Sequence, residues 1–300
     1  AVTDRKRVLL LTEDVVGPIW APSVLAELSS TGFDAELITL PAGEANKAIE
    51  TWALAVDAIL RAGVDRGTPI LALGGGVLGD IVGFAAASCL RGMPFVQLPT
   101  TLLSMVDSSV GGKTGVNHHS GKNLVGAFHQ PILVFAALSS LSTLDAVERN
   151  AGLGEVVKTA LLGDVEMFSY LETNRSALRE GDEHALAHVI GRCVNAKANI
   201  VAKDEKESGV RALLNAGHTV AHGIENTAGY GEIRHGEAVG IGLIYEAGFA
   251  VNEGVCADAG LPIRLRSLIS DLGLPTTLPT LDHAEMVRAM NADKKASSGF

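Results

Sequence analysis

The sequence predicts an α/β domain with a mainly parallel sheet over residues 1–140 and an all-α domain over residues 141–300. Three observations predict it. Short runs rich in Val, Ile and Leu alternate with longer helix-period stretches as far as about residue 135. Beyond about Ser140 the apolar residues recur at three- and four-residue spacings. A length of 300 residues suits two ordinary domains better than one small core.

The elements follow in order. RVLLLT reads as a first strand. Basic residues precede its apolar run, but residues 8–11 are too few for a signal peptide and meet Thr12, Glu13 and Asp14. A helix is expected over residues 21–30, a strand at AELITL, a helix over 45–62 and a strand at PILALGGG. PFVQLP and PILVFAA add two strands to the same layer. From residue 148, ERNAGLGEVVKTALLGDVEMFSYLE, HALAHVIGRCVNAKANIVAKDE and HGEAVGIGLIYEAGFAVNEG read as helices. No apolar stretch is long enough to span a bilayer, since even residues 81–90 are flanked by Asp80 and Arg91.

Composition narrows the function. A hydrophobic fraction of 47% against 19% charged residues is that of a well-packed chain. The net charge of −10 disfavours a general nucleic-acid binder, which needs a basic stripe. Cys89, Cys193 and Cys256 are odd in number and far apart, so they predict neither a disulfide framework nor a thiolate metal site. A reducing cytoplasm is the expected compartment.

ALGGGVLGD follows a predicted strand and holds Gly74, Gly76 and Gly79 in G-x-G-x-x-G spacing. That spacing lets backbone approach a pyrophosphate at a helix N-terminus, the signature of a Rossmann-like dinucleotide-binding domain. It also fits a tight turn that packs strand on helix and binds nothing. The acid usual some twenty positions further on is absent, the region reading PFVQLPTT. Asp107 to Lys113 and the run Gly121, Lys122, Asn123 form polar loops in which glycine N–H groups and lysine charge suit a phosphoryl group or carboxylate. Solvated lysines that keep the protein soluble account for the same composition.

NAGHTVAHGIENTAGYGEIRHGEAVGIG holds His218, His222 and His235. His218 and His222 lie four apart on one helix face, and two antiparallel helices can bring His235 to them. Glu155, in the apolar stretch GLGEVVK, is a carboxylate whose burial without a partner is costly. Three N/O ligands with an open position make a catalytic metal site, typically zinc, whereas single histidines in helices are more simply hydrogen-bonded residues. The HExxH pattern is absent.

GGGVLGD, RGMPFVQLPTTLLSMVDSSVGGKTGVNH, GKNLVGAFHQP, GLGEVVK, DEKESGVRALLNAGHTVAHGIE, HGEAVGIG and the terminal DKK occur in this order between about residues 41 and 295. Together they closely resemble the 3-dehydroquinate synthases, members of the sugar phosphate cyclases. The resemblance implies an NAD-binding α/β domain, a helical metal- and substrate-binding domain, a homodimer and a cytoplasmic enzyme of the shikimate pathway. It implies conversion of 3-deoxy-D-arabino-heptulosonate 7-phosphate to 3-dehydroquinate and phosphate, a carbon–oxygen lyase reaction with transient NAD reduction, acting on a small phosphorylated sugar acid and on no membrane or nucleic acid. By motif, Glu155, His218 and His235 would bind Zn²⁺ or Co²⁺, with His222 beside them either supporting the ligands or transferring protons. Glu44, Lys47, Gly75, Gly76, Val77, Gly79, Asp80, Thr100, Thr101, Asp107 and Thr143 would bind NAD, with Lys113 and Lys122 between cofactor and substrate and Lys113 also meeting the substrate's anions. Asn123, Lys158, Lys197, Arg211, Asn215 and Lys294 would meet the substrate, with Arg91 reaching over from a partner subunit.

Against the family's usual pattern the chain is expected to lack the first strands, NAGHT stands for NLGHT, and His118 and His119 occupy a loop that often reads NHPLGKN. The competing readings are a sister cyclase making an aminocyclitol or valiolone precursor and a metal-dependent polyol dehydrogenase. SSVGGKTGVNH looks like the dehydroquinate branch, and a dehydrogenase does not need the phosphate-directed Lys113, Asn123 and Arg211.

Overall fold

The computed structural model of the chain describes residues 5–229 and 232–297, with side chains as far as Asn291. Chain contacts divide it into Ala1–Leu144 and Asp145–Phe300. The first unit keeps the short 3-10 turn Leu138–Thr143, because the Trp20 indole N–H donates to Thr143 Oγ1 at 3.0 Å.

The first unit is built on five parallel strands, β1 (Arg7–Glu13), β2 (Asp34–Leu40), β3 (Ile70–Gly74), β4 (Phe95–Pro99) and β7 (Leu133–Val134), in the order β2-β1-β3-β4-β7. Alternate residues feed two cores. Leu9, Leu11, Ile70 and Ala72 pack with helices α2 (Ile49–Arg61) and α3 (Gly76–Ser88), whereas Val8, Leu10, Leu71 and Leu73 pack with α1 (Gly17–Ser30). Burial on both faces is why these strands read as unbroken apolar runs. The chain reverses its direction of travel across the sheet between β1 and β3, the crevice where open α/β sheets bind ligands at the strand C-termini.

Three expectations need correction here. The helix expected over residues 21–30 starts at Gly17, since Pro18 is accepted in a first turn. The helix expected over 45–62 is the 3-10 turn Glu44–Asn46 followed by α2. The polar loops are an antiparallel hairpin, β5 (Lys113–His118) with β6 (Gly121–Phe128). Its glycines hid the strand pattern and make the pairing close: a Cβ on Gly126 would lie 2.0 Å from the Thr114 carbonyl oxygen.

The second unit is helical: α4 (Ala146–Leu161), α5 (Val165–Glu180), α6 (Glu183–Lys203), α7 (His218–Ala228), α8 (His235–Asn252), α9 (Leu261–Asp271) and α10 (His283–Ser297). The first helical run of the sequence is broken into α4 and α5 by Gly163 at φ +111° and by Asp164, which accepts the Met167 N–H. α7 and α8 form an antiparallel pair, with Gly217 donating to Glu246 at one end and His235 meeting Glu225 at the other. Among the described residues no helix is long and apolar enough to cross a membrane.

Candidate active site

In the first unit the turn after β3 delivers its glycines to the start of α3. Gly75 is the N-cap and supplies no side chain, so the first-turn N–H groups of Gly76, Val77 and Leu78 have no side-chain cap. Such a terminus suits a phosphate. The cradle is tight, since a Cβ on Gly76 would lie 2.6 Å from Ser108 Oγ and one on Gly79 would lie 2.5 Å from Gln97 Oε1. These contacts fit a backbone approach to a dinucleotide.

Polar groups gather around that turn. Lys47, 6% exposed, donates to Asp80 Oδ2 and to Asn123 Oδ1, each at 2.6 Å. Asn117 links the hairpin to Glu44 at 2.8 Å and accepts the Asn123 N–H at 2.9 Å. Asn123, expected with the substrate groups, bonds Lys47 and through it joins the Lys47–Asp80 pair. Thr100 N donates to Gly74 O at 3.0 Å, Thr101 bonds Ser104, and Asp107 lies in the π-turn Ser104–Ser108. Lys113 starts β5 and Lys122 lies on β6. Arg91, at φ +63° just past the far end of α3, is about 20 Å of helix from the glycine turn, given the rise per residue. The fold does not bring it to that turn within one chain.

Glu13 was not singled out by sequence. It ends β1 beside the Gly75 N–H; burial and then Asp14 push its carboxyl up, and the Gly75 N–H pulls it down. The strand pattern alone carries no signal for it.

In the second unit Glu155 on α4, His218 opening α7 and His235 opening α8 converge. Their ligand atoms lie within 4.8 Å of one another. Glu155 Oε1 is 3.6 Å from His218 Nε2 and 3.3 Å from His235 Nε2, with the carboxylate 1% exposed. Glycines allow this approach: a Cβ on Gly154 would lie 2.1 Å from Gly236 O, and one on Gly242 would lie 2.0 Å from Gly217 O. One carboxylate and two imidazoles, close and mostly buried, fit a tetrahedral divalent metal with one position left for another ligand.

The surroundings pull the two imidazoles in opposite directions. Burial and Lys158, against Glu155, move the His218 imidazole down to about 4. Burial pulls His235 down as well, but the Glu155 and Glu225 carboxylates outweigh it and raise it to about 10. Glu225, 3.4 Å from His235 Nδ1, is the carboxylate that commonly orients a ligating histidine. It was missed in the sequence, although it lies seven residues from His218 on the same helix face. His222 sits one turn beyond His218, ring centroids 5.4 Å apart.

Positive groups are buried nearby in the sequence of this unit. Lys158, 2% exposed, is ion-paired with Glu155, Lys197 on α6 is 8% exposed, and Arg211 is 1% exposed. Asn215 donates to Glu207 at 3.0 Å. The side chain of Lys294, expected to meet the substrate, lies outside the described residues.

Comparison with known proteins follows this geometry. Residues 37–151 match the family described as 3-dehydroquinate synthase N-terminal, and residues 152–296 match 3-dehydroquinate synthase C-terminal. The chain is 48% identical to the 3-dehydroquinate synthase of Colwellia psychrerythraea over 295 residues, covering 98% of this chain and 82% of that protein. Among solved structures, 2-epi-5-epi-valiolone synthase from Streptomyces hygroscopicus subsp. jinggangensis, with NAD⁺ and Zn²⁺ bound, superposes with a TM-score of 0.91 at 33% identity, covering 98% of this chain and 82% of that one. A 2-deoxy-scyllo-inosose synthase complexed with carbaglucose-6-phosphate, NAD⁺ and Co²⁺ gives 0.87 at 28% identity, covering 97% and 81%.

Proposed function

The chain belongs to the 3-dehydroquinate synthase family, and from that premise we infer that it converts 3-deoxy-D-arabino-heptulosonate 7-phosphate to 3-dehydroquinate and inorganic phosphate. The observation that carries the reading is the convergence of Glu155, His218 and His235 within 4.8 Å, in a chain whose other unit opens α3 with an uncapped glycine turn.

Glu155, His218 and His235 would hold Zn²⁺ or Co²⁺, and the α3 terminus with Glu44, Lys47 and Asp80 would hold NAD. Bound there, the metal supplies Lewis acidity toward a substrate hydroxyl, and NAD supplies a reversible hydride acceptor. The chain does the rest. Lys158, Lys197 and Arg211 are buried cations of the helical unit, and their charge would meet the substrate's carboxylate and phosphate. Once a ring carbon is a ketone, the adjacent C–H is more acidic. His222, one turn from His218, would take or return such a proton, a reading that its closeness to His218 supports. Ring opening and aldol closure then depend on orientation, which the same cationic groups and Asn215 supply.

The finer reading makes this a phosphate-eliminating carbon–oxygen lyase of the shikimate pathway, cytoplasmic, and a homodimer in which the partner subunit's Arg91 completes the substrate site. The position of Arg91 beyond the far end of α3 supports a role for it outside its own glycine turn.

The deciding experiment follows phosphate release from 3-deoxy-D-arabino-heptulosonate 7-phosphate with catalytic NAD and added Zn²⁺, while absorbance reports NADH. Stoichiometric phosphate without NADH accumulation is expected. A folded, metal-loaded protein that releases no phosphate would belong to a sister cyclase, and steady NADH from a simple polyol would make it a dehydrogenase.

A further inference from the structure

Asp204 ends α6, and the chain that follows folds back onto its carboxylate. Oδ1 accepts the Ser208 N–H at 2.9 Å and the Ser208 hydroxyl at 3.2 Å. Oδ2 accepts the Gly209 N–H at 2.7 Å and the Arg211 N–H at 3.0 Å. Three backbone donors on one carboxylate enforce a sharp reversal, and Glu207 at its apex takes φ +59°, a left-handed value unfavourable for a residue with a Cβ.

The reversal carries groups assigned above to the substrate. Arg211 follows directly, its guanidinium donating to Glu205 O at 2.5 Å within the same loop. Glu207 accepts from Asn215 Nδ2 at 3.0 Å. Asp204 is 9% exposed; its backbone N–H stays with the last turn of α6, and its carboxylate bonds Ser208, Gly209 and Arg211 of this loop. The backbone bonds, led by Arg211 N–H, lower its carboxyl from 3.8 to about 2, so the loop is gripped by a full negative charge at neutral pH.

We propose that Asp204 is a positioning residue for substrate anion binding, holding the 205–211 reversal so that Arg211 and Asn215 stand in place before substrate arrives. The proposal rests on the reading of Arg211 and Asn215 as substrate groups. It differs from a plain helix cap in what it predicts: a cap affects stability, whereas a positioning residue affects the affinity for the anionic substrate at constant metal and NAD affinity.

The test is Asp204→Asn in the metal-loaded enzyme. The amide keeps one acceptor but turns a donor toward the Gly209 and Arg211 N–H groups. KM for 3-deoxy-D-arabino-heptulosonate 7-phosphate should rise by about tenfold or more, the loss expected when hydrogen bonds to a charged group go, while kcat changes by less than about threefold. Zinc content and NAD affinity should match wild type. Unchanged KM, or a kcat that falls in step with zinc content, overturns the proposal.

If Asp204→Asn does not fold, Ser208→Ala, an exposed position, removes only the hydroxyl bond. A KM rise of about twofold to threefold supports the proposal, and no rise overturns it. Wild-type enzyme run alongside separates the two ideas. Absence of wild-type turnover sinks the functional reading, and amide exchange at Ser208, Gly209 and Arg211 still tests the grip of Asp204 by itself, equal protection in both proteins counting against it.

Discussion

Gly236 of α8 lies so close to α4 that a Cβ built on it would sit 1.8 Å from the Ala151 carbonyl oxygen. The contact is backbone against backbone, so no side chain can swing aside. It brings the start of α8, and with it His235, against the turn of α4 that carries Glu155.

Gly236→Ala should therefore force the two helices apart. Overpacking of this kind costs about 1–3 kcal/mol. Stability and zinc occupancy are expected to fall together, measured by thermal unfolding and metal analysis. Full zinc occupancy in a destabilised Gly236→Ala protein would separate the contact from the metal site.

Glu155→Gln and His218→Ala should each cut zinc affinity by more than about a hundredfold, beyond what loss of a ligand's hydrogen-bond partner costs. Turnover should fall in parallel. Glu155→Gln also leaves the buried Lys158 without its carboxylate, a loss of about 3–5 kcal/mol in stability. Normal turnover in a zinc-free Glu155→Gln protein would remove the metal assignment.

Glu225→Gln should act on the metal through His235. Zinc affinity should drop by about 10–100-fold while the ligand set stays intact. Competition against a chromophoric chelator reads this directly, and an unchanged affinity would deny Glu225 an orienting role.

Lys47→Met removes the ammonium between Asp80 and Asn123. NAD affinity should weaken by about tenfold or more, equivalent to ~1.4 kcal/mol, with zinc content unchanged. Fluorescence titration with NAD checks it; wild-type affinity would move the cofactor away from this network.

Asp204 sets an acid limit. Its carboxyl lies near 2 in the folded chain against an ordinary 3.8. A depressed value stabilises the fold above about pH 4 and loses that contribution as pH falls toward 2. The Gly209 amide resonance should titrate with a midpoint near 2, and a midpoint near 4 would show that the carboxylate is not gripped.

The sequence by itself determined the layered α/β unit, the helical unit and the identity of the metal-ligating candidates. Apolar period and glycine spacing are local properties, written over a few residues. RVLLLT and PILALGGG could be read as buried strands because alternate residues feed two cores. Glu155, His218, His222 and His235 stood out as polar groups in helical stretches, and the family resemblance singled out the ligands among them. The hairpin at Lys113 to Phe128 was not legible, because its glycines pair backbones closely and leave no alternation to read. Asn123 could not be placed with Lys47 from sequence, since their bond joins residues 76 positions apart. Glu225 and Asp204 likewise look like ordinary surface acids in a string of letters. Only the tertiary structure decided their partners, because a hydrogen bond depends on where two atoms meet and no local pattern records that.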